Sequence, residues 1–138
     1  MFFILYIWVM KQIGFTGKWS NETKSIKVNV PVMLFKEDNI FIAYVPVLDI
    51  SGYGESEDDA KESLNISLDH YFTYTHNKNT LAADLIMHGW VIKRKTKPYI
   101  APEISTLLTK NPYLKDIFDS RKYTMDRMDL SIPQHATC

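Results

Sequence analysis

The stretch Phe41 to Leu64, FIAYVPVLDISGYGESEDDAKESL, constrains the architecture of this chain more than any other. Ile40 to Leu48 is apolar on both faces apart from the polar tip of Tyr44, the pattern of a central strand covered on both sides. Pro46 cannot donate a ladder hydrogen bond and ends the regular pairing. Gly52 and Gly54 allow a bulge or a close backbone approach, so Ile50 to Gly54 reads as a short third strand. Ser56 then offers its hydroxyl to a helix start, with Glu57, Asp58 and Asp59 where the helix dipole favours acids. Ala60, Leu64, Ser67, Leu68, Tyr71, Phe72 and Thr75 share one helical face, which predicts a helix of about five turns. Such a stretch must build a sheet and lay a helix across it.

The flanks extend this plan. Ile26, Val28, Val30, Val32 and Leu34 alternate with Lys27, Asn29 and Pro31, a period of two that predicts a strand with one buried face. Pro31 calls for an edge position or a bulge, and Lys36 to Asn39 has the length of a hairpin loop. Asn77 to Asn79 interrupts the long helix, and Thr80 is placed to cap a shorter one, Leu81 to His88, that stops at Gly89. Trp90 to Ile92 reads as a further strand running into the basic Lys93-Arg94-Lys95-Thr96-Lys97. Beyond Pro98 come two short helical stretches, Pro102 to Thr109 and Pro112 to Asp119, an extended segment from Arg121 to Ile132 and a loose tail. The expected class is α+β: a small, mostly antiparallel sheet with helices on one face. A β-β-β-α-α-β core would occupy residues 26–97, after a partly disordered lead-in over 1–25 and before a short helical C-terminal extension over 98–138.

A chain of 138 residues is long enough for one domain with a real core. Sixteen basic and sixteen acidic residues cancel, so global charge makes no case for nucleic-acid or membrane binding. Cys138 is the only cysteine, which excludes an intramolecular disulfide. The apolar run Phe2 to Met10 falls short of the ~20 residues that span a bilayer and lacks the basic n-region of a secretory signal. It reads as the product of a start codon upstream of a true start at Met10, the other reading being a short sticky strand. Either way a cytoplasmic protein is expected.

Catalytic chemistry finds no foothold. His70 and His76 stand six apart, which misses the spacing that puts two metal ligands on one helical face, so neither metal nor cofactor is expected. Ser51 is not in a nucleophile elbow, and the acids around Gly52-Tyr53-Gly54 would repel a phosphate. A hydrolase built on Asp49 and Asp58 ranks last, because no base, nucleophile and orienting group come together. Two surfaces remain. Glu55, Glu57, Asp58, Asp59 and Glu62 form either a solvated helix face or a docking surface for a basic protein. Ile66, His70 and Tyr74 form a second stripe, opposite the main apolar face, that either is partly covered within the chain or meets another chain in an oligomer. The basic run at Lys93–Lys97 reads as a guarded strand edge rather than a phosphate contact.

An apolar hairpin, then Tyr44-Val45-Pro46-x-Leu48, Ser51-Gly52-x-Gly54 and Ser56-x-x-Asp59-Ala60 opening a helix, resembles the HicB-like antitoxin family over roughly Ile26 to Lys97. The resemblance implies a truncated ribonuclease-H-like core without nuclease activity. It also implies a partner, a small basic mRNA-cleaving toxin of the HicA type, whose active surface the antitoxin covers. An RNA-cleaving toxin is electropositive, which gives the acidic helix start a use. Many family members add an operator-binding helix-turn-helix or ribbon-helix-helix. Residues 98–138 read helix–helix–strand, the wrong order for the second, so operator DNA is not implied. A chain that binds a toxin and self-associates is the leading expectation. The alternative is a stand-alone oligomeric or regulatory domain.

Overall fold

The computed structural model describes residues 25–93 and 99–134. Among them the chain runs β1 (Ser25–Glu37), β2 (Ile40–Val45), β3 (Ile50–Gly54), α1 (Glu57–Asn77), α2 (Leu81–Met87), β4 (Val91–Ile92), β5 (Tyr99–Ile100), α3 (Ile104–Lys110), α4 (Pro112–Ser120) and β6 (Tyr123–Pro133). A four-stranded sheet in the order β3-β2-β1-β6 is antiparallel throughout. The fold is α+β, in line with the pattern. The lead-in, Met10 and most of the basic run lie outside the described residues.

The first hairpin is tighter than its polar gap suggests. Glu37 pairs with Ile40, which leaves only Asp38 and Asn39 in the turn, at φ 51° and 66°. Two successive positive φ values suit the twist of a two-residue hairpin, and Asp and Asn tolerate them well. Pro31 sits within β1 opposite Arg127, while β2 reaches along β1 only as far as Met33. β1 is an inner strand, yet among the described residues only β6 flanks it at Pro31, so the proline interrupts no ladder to β2.

Directly paired residues share a face of the sheet. Gly52 lies opposite Ala43, and Ala43 opposite Leu34. A Cβ on Gly52 would stand 2.2 Å from Leu64 N, so this is the face that receives α1. Ala60, Leu64, Leu68 and Phe72 are buried there. The other face carries Phe35, Ile42 and Tyr44, and α4 covers part of it: the Tyr113 ring stands edge-on to Tyr44 at 5.1 Å and to Phe35 at 6.4 Å. Helices therefore lie on both faces rather than one. Leu114 and Ile117, fully buried, give α4 its apolar stripe, and β2 has Ile42, Ala43, Tyr44 and Val45 all buried, as a strand covered from both sides requires.

Helix ends follow local chemistry. The Ser56 hydroxyl accepts the Asp59 N–H at 3.1 Å and starts α1. Asn79, at φ 56°, ends it in a Schellman motif: Thr80 N–H donates to Thr75 O and Asn79 N–H to His76 O. Gly89, at φ 95°, ends α2 the same way, with Trp90 N–H on Leu85 O. Thr80 makes no side-chain cap.

The fourth strand of the sheet is β6, not the strand after Trp90. β6 pairs with β1 from Tyr123 opposite Phe35 to Pro133 opposite Ser25. Val91–Ile92 pairs only with Tyr99–Ile100, in a separate two-stranded ribbon. Trp90 itself turns inward, buried, and its Nε1–H donates to Val47 O at 2.8 Å. Within 99–134 the chain supplies a strand of the main sheet and two helices whose Leu107, Leu114 and Ile117 join the same core.

Candidate functional site

The outward face of α1 carries both candidate sets. Asp59, Glu62, Ile66, His70 and Tyr74 follow one another at three- and four-residue steps, on the side of the helix turned from Ala60, Leu64, Leu68 and Phe72. Asp59 and Glu62 are exposed, Ile66 and His70 half-buried, and Tyr74 is 64% exposed. Two groups that look separate in the sequence therefore lie end to end on one surface. Glu55 and Asp58 are exposed beside its acidic end.

Glu57 belongs elsewhere. It lines a shallow groove of about 220 Å³ at the hairpin end of the sheet, with Phe41, Tyr123, Lys36 and Lys122. Lys36 Nζ lies 5.2 Å from the centroid of the Phe41 ring, a cation–π contact. The groove joins two segments far apart in the chain, so no sequence signal marks it. Lys61, the base among the acids, is drawn to the β6 side, where its Nζ is 3.8 Å from Asp126 Oδ2. That leaves the acidic end of α1 without its nearest counter-charge.

Other polar clusters hold elements in place. Tyr44 donates its hydroxyl to Asp49 Oδ1 at 2.6 Å, and Asn111 Nδ2 donates to Tyr44 Oη at 2.8 Å. This chain ties the β2–β3 turn, where Asp49 has φ 55°, to the start of α4. Burial, reinforced by the Asp49 carboxylate, pushes the Tyr44 phenol well above its ordinary pKa. Tyr71 donates to Asp84 Oδ2, and burial with that carboxylate raises its pKa in the same direction. His88 Nδ1 lies 2.8 Å from Asp84 O at the end of α2, the capping role its position implied.

Asp49 accepts the Tyr44 hydroxyl in the turn before β3, whereas Asp58 is exposed in the first turn of α1. Among the described residues no group of three or more His, Cys, Asp or Glu side chains is placed to hold a metal ion, and no helix is long and apolar enough to cross a membrane. No family model, curated protein or solved structure matches this chain.

Proposed function

We propose that this chain is a non-catalytic, cytoplasmic protein-binding module of the HicB-like kind, an antitoxin that masks a small basic mRNA-cleaving toxin of the HicA type. One observation carries the reading: Glu55, Asp58, Asp59 and Glu62 are all exposed at one end of α1, while Lys61 is turned away towards Asp126. A cluster of uncompensated carboxylates on a rigid helix steers a basic partner and fixes its register. Ile66 and Tyr74, further along the same helix, supply apolar area for such a contact.

Co-expression with the small basic protein encoded beside the gene tests this. The pair is expected to co-purify, and the chain to relieve the growth arrest that the partner causes alone. Asp58→Lys with Glu62→Lys is expected to weaken the complex by about tenfold or more and to flatten its salt dependence. No complex and no rescue would defeat the proposal, as would a complex indifferent to both substitutions.

A further inference from the structure

Among the described residues β6 is an edge strand of the sheet, and its outer edge runs over eleven residues, Tyr123–Pro133. The opposite edge differs: β3 has only five residues, and its Tyr53 N–H donates to the Ser63 hydroxyl of α1 at 3.1 Å. Pro31 tells which β6 backbone groups face outward. It has no N–H and stands opposite Arg127, so the ladder to β1 runs through the even-numbered residues of β6. Tyr123, Met125, Arg127, Asp129 and Ser131 turn their backbone groups away from β1. Arg127 N–H accordingly donates to the adjacent Asp126 carboxylate, at 2.8 Å.

An edge of this length is a template for another strand. We infer that it pairs with the β6 edge of a second copy of this chain, antiparallel about a two-fold axis at Met128, so that two four-stranded sheets become one. Paired residues share a face, so the axis must pass through a residue and not between two. Met128 is the midpoint of Tyr123–Pro133, and a centre there overlaps all eleven residues. The same register sets each Arg127 against the Asp129 of the other copy. A centre one residue away sets Arg127 against Arg127, or Asp129 against Asp129, which is repulsive. The longest overlap and the best charge match therefore coincide.

Both charged side chains are already held in position by Asn29 of β1. Asn29 Nδ2 donates to Asp129 Oδ1 at 2.9 Å, and Arg127 donates to the Asn29 carbonyl at 3.2 Å and to its side-chain oxygen. The second carboxylate oxygen and further guanidinium N–H groups remain for the other copy. On the α1 face a cleft of about 150 Å³ separates the helix from β6, lined by Lys61, Asn65, Asp126 and Met128. The half-buried Met128 side chains of the two copies meet beside it.

This inference does not rest on the toxin-binding function proposed above, so a failed toxin capture leaves it standing. Sedimentation velocity of the full chain is expected to show a concentration-dependent dimer. Arg127→Asp sets acid against acid at both ends, and Asp129→Arg sets base against base, so each is expected to weaken the dimer by about tenfold or more. Mixed together, the two variants complement each other: both acids of the first face both bases of the second. Native mass spectrometry of differently tagged chains is expected to find the heterodimer. Independently of any variant, amide exchange at Arg127 and Asp129 should slow as concentration rises. A wild-type monomer, concentration-independent exchange at both amides, or two folded variants that do not pair would overturn the inference.

Discussion

Gly52 is where α1 approaches the sheet most closely, and Gly52→Ala tests the whole packing arrangement. The added Cβ would stand 2.2 Å from Leu64 N, 2.4 Å from Ala60 O and 2.6 Å from Leu64 Cα. All three are backbone atoms, so no side chain can swing aside. The first contact is about 1.2 Å short of the 3.4 Å where ordinary contact begins. The helix must retreat by something near that amount, and a gap of 0.5–1 Å already forfeits roughly a quarter to a half of the dispersion between facing atoms. Ala60, Leu64 and Leu68 all sit on that seam. Overpacking costs ~1–3 kcal/mol where neighbours can adjust. Against backbone, about 3–5 kcal/mol is expected, much of the roughly 5–15 kcal/mol that holds a domain folded. Urea unfolding followed by far-UV circular dichroism measures the loss, and the thermal midpoint should fall by about 10–15 °C. A loss below about 1 kcal/mol would mean that α1 is not seated on Gly52, and the reasoning would fail.

Three smaller perturbations check other parts of the fold. Ser56→Ala removes the acceptor of the Asp59 N–H and should cost about 1 kcal/mol by urea titration, while Ser56→Asp should keep most of it. Trp90→Phe leaves the Val47 carbonyl without its indole donor in a buried turn, for an expected loss of about 1–3 kcal/mol, and a neutral result would deny that bond. Alkaline unfolding should report Tyr44 and Tyr71, whose phenols are held neutral by burial and by Asp49 and Asp84. Because their folded-state pKa values lie above the unfolded ones, their contribution is complete below pH ~10 and is lost as pH rises beyond it. Tyr44→Phe with Tyr71→Phe should flatten that decline, and an unchanged slope would contradict it.

Local signals carried much of this fold. The alternation from Ile26 to Leu34, the Ser56 cap and Gly89 at the end of a short helix are each decided by neighbours within a few residues, and each lies where its pattern implies. Non-local choices were not legible. In YTMDRMDLSIP only Met128, Leu130 and Ile132 alternate with Asp129 and Ser131; the first half, with Thr124 and Asp126 on the same face as those apolar residues, breaks the period, and nothing local says that the segment pairs with β1. The placement of α4 against Tyr44 and Phe35 depends on Asn111 finding a hydroxyl in β2, which no spacing rule encodes. The acids of α1 were visible one by one, but Glu57 left the group once the sheet end gave it Lys36 and Lys122 as company.

The pairing of β1 with β6 also sets the order in which this molecule can come into being. Ile26 meets Ile132, and Ser25 meets Pro133, so the second ladder of β1 joins nearly opposite ends of the described chain. Contacts of that separation close slowly, since the loop entropy must be met before the contact rewards it. During synthesis the β1–β2–β3 meander and α1 can assemble first, and β6 arrives after them. A chain halted before Tyr123 would hold every local element described above and still carry Val28, Val30 and Val32 on a strand with one bare side. The sheet therefore closes only once translation has passed Tyr123–Pro133.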